Sequence, residues 1–157
     1  MTRRRRATLL AAMLAIASAS FAHAEPPEQL YMLNCWGCHR PHGEGIPGTA
    51  PALTDAIDFL RVKGGREYLI SVPGVSQSAL DNADTAEVMN WILKSFSQDR
   101  SQDRSKDRSK HRTSADFRPY TADEIANART THLMDIKKAR AKLVAEMVEQ
   151  KIRPPEK

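Results

Sequence analysis

The sequence predicts an all-α fold. No segment alternates polar and apolar residues as a half-buried strand would, whereas two long segments carry apolar residues at helical spacing. One of them, residues 84–96, has four large apolar side chains on one face: Val88, Trp91, Ile92 and Phe96. Shorter helices are expected over residues 26–34, 55–62 and 65–70, and glycines or prolines mark the breaks between them.

The first 24 residues predict a secretory signal peptide. Residues 2–6 are basic, residues 7–21 are small and apolar, and Ala22-His23-Ala24 has the small-x-small pattern of a cleavage site. The apolar run of about 15 residues is shorter than the roughly 20 residues that span a bilayer. We therefore expect cleavage near Ala24, a periplasmic mature chain and no stable membrane span.

The formal charge of +5 does not indicate a nucleic-acid partner. Four arginines of the predicted signal peptide supply most of it, and the remaining chain has 20 basic and 19 acidic residues. The charges are unevenly divided, since residues 25–96 carry five basic and nine acidic side chains and residues 97–157 carry fifteen and ten. We expect no nucleic-acid binding.

Both cysteines of the chain lie in the run Cys35-Trp36-Gly37-Cys38-His39. Thiols at positions i and i+3 lie on one side of a helical turn, from which they can form thioethers with the two vinyl groups on one edge of a haem. His39 then follows directly as an axial ligand of the iron. The run is the attachment motif of c-type haem, and a haem would supply the apolar centre that so short a segment lacks.

Three other interpretations of the cysteines compete with haem attachment. A structural disulfide is compatible with an exported protein. A redox-active C-x-x-C pair would lie in a βαβ pattern, which the sequence lacks. A zinc site would need two more ligands at matching spacing, and only scattered histidines remain. The export signal and the thin core favour haem.

Beyond this motif, residues 26–96 resemble a class I cytochrome c, a small all-α haem protein. Tyr31 stands four residues before Cys35, where that family usually has an aromatic residue on its N-terminal helix. Trp91 matches the aromatic residue of the last helix that crosses it. The resemblance implies haem c as the cofactor and single-electron transfer as the function.

The loop after the haem motif extends the resemblance. Residues 48–53, Gly-Thr-Ala-Pro-Ala-Leu, are similar to the family's Gly-x-x-Pro-x-Leu loop. The resemblance implies that the carbonyl group of Pro51 accepts a hydrogen bond from the second ring N–H of His39, which fixes the tautomer of the ligand. It also implies that Leu53 packs on the haem face.

The sequence departs from the family at the second axial ligand. That ligand is usually a methionine in the loop before the last helix, at a position that falls on Val75 here, and residues 72–80 contain no Met, His, Lys or Cys. Met89 is the nearest candidate, but it lies on the predicted helix, where methionine commonly fills gaps. The sixth ligand is therefore left unknown, and four further candidates are expected to have other roles: Met32, His42, His132 and Met134.

The last third of the chain predicts a linker and a helical tail. Residues 97–112 are four polar tetrapeptides, so we expect a solvated linker over residues 97–114. In the tail, residues 115–157, a capping-box pattern at Thr121–Glu124 precedes apolar residues at helical spacing. A single helix there would be about 43 Å long, so we expect a break near Thr130-Thr131. We also expect the tail to fold back on the haem domain, residues 25–96, because that domain alone is small.

The sequence therefore predicts a periplasmic monohaem c-type cytochrome, an electron carrier rather than an enzyme, whose partners are periplasmic redox proteins. Two alternatives stay open. The chain could be the haem subunit of a periplasmic dehydrogenase, bound through its tail. The missing loop methionine instead suggests a haem protein that binds small ligands at an open sixth site.

Overall fold

The computed structural model describes the backbone of residues 25–103, 117–131, 133, 135–152 and 154, with side chains except over 97–103. Within these residues the regular structure is helical apart from one isolated bridge, between Ile46 and Ala50. The predicted all-α class is thus confirmed. The predicted signal peptide lies outside the described residues. In the described part of the chain, no helix combines the length and the apolar character needed to cross a bilayer.

Eight helical elements follow one another in the described residues. They are α1 Pro27–Asn34, α2 Trp36–His39, a 3₁₀ helix Ala56–Arg61, α3 Gly65–Ser71, α4 Pro73–Ser76, α5 Asn82–Asp103, α6 Ala122–Thr130 and α7 Ile136–Glu149. The chain breaks after α3 as predicted, but Pro73 then begins the short helix α4, because proline is favoured in a first turn.

Helices α1 and α5 cross at an aromatic cluster. The ring of Tyr31 lies 5.2 Å from the ring of Trp91 and 5.2 Å from that of Phe96, between centroids. Tyr31 is 1% exposed. The predicted apolar face of α5 is buried, with Trp91 half-buried at its edge. Leu93, which is not among the four residues of the predicted face, is also buried, and α6 packs on α5 as well.

The C-terminal segment packs on the same core. Helix α6 lies against α3 and α5, and α7 lies against α3 and the 3₁₀ helix. Ile125 and Met147 are fully buried. The capping box at Thr121 and Glu124 forms as the sequence predicted, and the helical tail breaks at Thr131, as expected. His132 and Met134 lie outside the described residues.

Helix α5 is longer than the sequence predicted. It continues to Asp103, seven residues into the segment 97–114 that was expected to be a solvated linker. Adding residues to an existing helix is far easier than starting a new one, and Gln and Arg favour helix, which explains the greater length of α5. The rest of the predicted linker, residues 104–114, lies outside the described residues.

An arginine of α3 attaches the C-terminal segment to the haem domain. Arg66 donates hydrogen bonds to both carboxylate oxygens of Glu124, each at 2.9 Å, and to the carbonyl oxygens of Arg118 and Pro119 at 2.6 and 2.9 Å. Its guanidinium carbon also lies 4.1 Å from the ring centroid of Tyr120. The bonds from Arg66 lower the pKa of Glu124 to about 2, with Arg118 contributing less.

We expect Glu124→Gln to remove a pH-dependent part of the stability. Because the folded-state pKa lies below the ordinary value of 4.5, the unfolded state binds more protons as the pH falls from about 4.5 towards 2, and stability falls with it. Urea unfolding of the haem-loaded protein should show a steeper loss over that window in the wild type than in the variant. At neutral pH the variant should be about 1–3 kcal/mol less stable.

Asp123→Asn is the matched control, since it removes an exposed carboxylate from the same helical turn. This variant should keep the pH dependence of the wild type. Equal acid sensitivity of the wild type and Glu124→Gln would show that the link to Arg66 does not stabilise the fold.

Candidate cofactor site

Helices α1 and α2 bring the two cysteines to one side of a helical turn. The N–H of Cys35 donates to the carbonyl of Tyr31 at 2.8 Å, and the N–H of His39 donates to the carbonyl of Cys35 at 2.9 Å. Cys35 is half-buried and Cys38 is exposed, and both thiols are free. Burial, with a smaller effect of Cys38, raises the pKa of the Cys35 thiol to about 11. Cys35 therefore keeps its proton at neutral pH, and the side chain of Cys38 is open to solvent.

The imidazole of His39 has one ring nitrogen engaged and one available. Its Nδ1 lies 3.0 Å from the carbonyl oxygen of Pro51, the contact that the family resemblance implied. A carbonyl only accepts, so Nδ1 carries the proton and Nε2 carries the lone pair. Burial lowers the pKa of His39, and the bond to Pro51 opposes this. The neutral ring is the form that binds a metal through Nε2.

The loop that supplies the Pro51 carbonyl is held by its own backbone. Ile46 and Ala50 exchange two hydrogen bonds, at 2.8 and 2.9 Å, and Leu53 donates to the carbonyl of Gly43 at 2.7 Å. Gly45 has φ +75°, and a Cβ at this position would lie 2.5 Å from the carbonyl oxygen of Ala50. The loop therefore requires glycine here, both for the left-handed backbone and for the space.

The aromatic cluster of α1 and α5 also supports the cysteine motif. The hydroxyl of Tyr31 donates to the carbonyl of Arg40, the residue after His39. Burial raises the pKa of Tyr31 to about 12, so the hydroxyl keeps its proton. Gly43 packs so closely on Phe96 that a Cβ would lie 2.9 Å from the ring. Sequence reasoning missed the Arg40 carbonyl, because a backbone acceptor carries no residue identity.

The arrangement of the donors fits a haem better than the other interpretations. In the described residues, no three His, Cys, Asp or Glu side chains converge as a metal ion would require, which argues against zinc. The described chain contains no βαβ unit, which argues against a redox-active C-x-x-C pair. Two thiols one turn apart beside a histidine with a free Nε2 match thioether attachment and axial ligation.

Large apolar side chains around the motif are unusually exposed. Met32, Leu33 and Trp36 are 48%, 71% and 37% exposed, and all three lie within three residues of Cys35. We call these three exposed apolar side chains around the cysteines the motif patch. Exposed apolar surface of this kind marks ligand or protein contacts.

The structure describes several candidates for the sixth ligand of the iron. None of them lies in residues 72–80, where the family resemblance implies that ligand. Val75, the position implied by the resemblance, is in α4 and packs partly on the core. Met89 is 6% exposed and belongs to the core of α5, more deeply than the flank position that the sequence suggested. His42 is exposed three residues after His39, and Met32 precedes the cysteines on α1.

Comparison with known proteins identifies the family. The family described as "Cytochrome c" matches residues 24–127, more than half of the chain. The chain is a member of the cytochrome c family. It is therefore a haem electron carrier with covalently bound haem c and iron, as the sequence predicted. The match passes Phe96 and ends at residue 127, within α6, which agrees with the packing of α6 on α3 and α5.

Two curated relatives carry the same name. This cytochrome is 30% identical to "Cytochrome c-552" of Thermus thermophilus over 107 residues, which cover 63% of this chain and 81% of the relative. It is also 30% identical over 107 residues to a "Cytochrome c-552" from one particular strain of Thermus thermophilus, covering 63% of this chain and 72% of that protein.

Two glycines of the loop provide a matched test of its role. Gly45 and Gly48 both have φ +75°, but a Cβ at Gly48 would meet no atom within 4 Å. Gly48→Ala should therefore lower the free energy of unfolding only by the strain of the left-handed backbone, about 1–2 kcal/mol. Gly45→Ala should cost more and displace the Pro51 carbonyl, which leaves the His39 ring less firmly oriented.

The measurements are thermal unfolding and haem content of both variants after expression in a host that matures c-type cytochromes. Gly45→Ala should show the lower melting temperature and an altered ferric spectrum. Indistinguishable behaviour of the two variants would refute the role of the Gly45 contact.

Proposed function

We propose that this cytochrome carries single electrons in the periplasm through one haem held by Cys35, Cys38 and His39. The observation that carries the proposal is the His39 ring, whose Nδ1 is engaged by Pro51 while Nε2 stays available beside two free thiols. The predicted signal peptide supports the periplasmic location, where c-type maturation and export coincide. When bound, the haem supplies an iron that alternates between the ferrous and ferric states.

The residues of the chain would hold this cofactor rigidly. Thioethers from Cys35 and Cys38 would attach one edge of the haem to α2, and Nε2 of His39 would be the axial ligand. The Pro51 carbonyl would keep the imidazole in one tautomer and one orientation, which also makes it a better donor. Leu53, which packs partly on the core, would add apolar surface on the same loop.

A redox partner would dock beside the attachment motif. The motif patch of Met32, Leu33 and Trp36 offers exposed apolar area next to the cofactor. Contacts between electron-transfer proteins are small and short-lived, so such a contact does not need a large apolar area. The alternative of a dehydrogenase subunit bound through the tail has less support, because Ile125 and Met147 of the tail are fully buried within this chain.

Covalent attachment tests the proposal directly. After maturation in a competent host, the intact mass of the wild type should equal the cleaved chain plus one haem, with no free thiol. Cys35→Ala and Cys38→Ala should each keep at most one thioether, visible as a shifted pyridine haemochrome spectrum. The double variant should bind no haem covalently.

The control pair is His39→Ala and His42→Ala. Only the first should lose the axial ligand and change the spectrum, because His42 is an exposed neighbour outside the motif. A wild-type chain recovered at its unmodified mass with both thiols free would refute the assignment.

A further inference from the structure

The segment before α5, residues 72–80, lacks the methionine ligand that the family usually has at this place. At the expected ligand position stands Val75, and residues 72–80 contain no thioether, imidazole, amine or thiol. We propose that residues 72–80 leave the sixth position of the iron open, so that it takes a small neutral ligand of the carbon monoxide class. The proposal rests on the proposed haem attachment through Cys35, Cys38 and His39.

Local hydrogen bonds hold the segment in a compact form. The N–H groups of Val75 and Ser76 both donate to the carbonyl of Val72 at 2.9 Å, and the hydroxyl of Ser76 donates to the same oxygen at 3.2 Å. The N–H of Gln77 donates to the carbonyl of Pro73 at 3.0 Å. These bonds form the single turn of α4. A register shift that moved another residue into the place of Val75 would break them.

Arg129 of α6 forms hydrogen bonds with the second half of the segment, residues 78–80. Its Nη2 donates to the carbonyl oxygens of Ser78 at 3.3 Å and Leu80 at 2.7 Å, and to the hydroxyl of Thr85 at 3.0 Å. Thr85 is 1% exposed, in the first turns of α5. One charged group therefore ties the segment to both α5 and α6. Hydrogen bonds to a charged group are the stronger kind, which opposes any rearrangement.

Met89 is buried in the core, and contacts of its two neighbours on α5 oppose a rotation of that helix. On one side, the N–H of Tyr120 donates to Oδ1 of Asn90 at 2.7 Å, and Nδ2 of Asn90 donates to the carbonyl of Tyr120 at 3.0 Å. On the other side, the ring of Trp91 packs on Tyr31. Met89 is 6% exposed between these fixed neighbours, so its sulfur stays in the core.

The other histidines and methionines that the structure describes are also accounted for. His42 follows His39 too closely to reach the opposite side of a haem, and Met32 precedes the cysteines on α1. Met147 is fully buried in α7. Valine at the ligand position offers no charge and no hydrogen bond, so a charged ligand would gain no partner there. A neutral diatomic ligand has no such requirement.

The test is a carbon monoxide titration of the reduced, haem-loaded wild type beside two variants. Val75→Met installs a thioether and Val75→Leu adds comparable bulk without sulfur. The wild type and Val75→Leu should bind carbon monoxide with equal affinity. Val75→Met should bind about tenfold more weakly if the new sulfur occupies the iron nine-tenths of the time, since apparent affinity scales with the free fraction.

Ferric spectra provide the second readout. The weak sulfur-to-iron band in the far red should be absent in the wild type and present only in Val75→Met. If Val75→Met does not fold, the wild-type titration and ferric spectrum still decide the question, because they require no variant.

The proposal is overturned if the haem-loaded wild type does not bind carbon monoxide. It is also overturned if a low-spin wild-type spectrum is lost in Met89→Leu, His132→Ala or Met134→Leu, because the chain would then supply its own ligand. A wild type without covalent haem would instead refute the proposed attachment, which the mass measurement reports separately.

Discussion

The aromatic crossing of α1 and α5 is the contact on which the rest of the structure depends. Tyr31 brings together two helices that are separated by 47 residues of sequence, through its ring contacts with Trp91 and Phe96. The same side chain donates to the carbonyl of Arg40, directly after the cysteine motif. Phe96 packs on Gly43 at the start of the loop that carries Pro51. One cluster thus positions both the motif and the loop that orients His39.

The C-terminal segment completes this domain rather than merely following it. Arg66 engages the chain entering α6, and Arg129 at the other end of α6 engages the turn before α5. Each arginine satisfies several backbone carbonyls at once, which a neutral side chain could not do. Because both arginines are only partly exposed, their hydrogen bonds face less competition from water. The haem domain and its tail therefore stabilise each other.

The two sides of the proposed haem site are both held by hydrogen bonds, but they differ in whether they offer a ligand to the iron. On the side of His39, a backbone carbonyl fixes the ring, and glycine-dependent loop geometry fixes that carbonyl. On the side that the proposal assigns to residues 72–80, the turn before α5 is also held by hydrogen bonds, but it carries Val75 rather than a donor. In the proposed site both sides are thus rigid, and only the side of His39 offers a ligand.

The sequence alone determined the features that depend on near neighbours: the cysteine motif with His39, the capping box before α6 and the apolar face of α5. Local backbone geometry is their physical basis, and the residue pattern expresses it directly. Only the tertiary structure decided the burial of Met89, the several acceptors of Arg66 and the bonds from Arg129 to the 78–80 carbonyls. Every residue has a backbone carbonyl, so the sequence does not show which carbonyls accept hydrogen bonds from these arginines. The polar repeat likewise does not show that α5 extends into it to Asp103. These features depend on which surfaces meet once the chain has folded, and packing over the whole domain decides that.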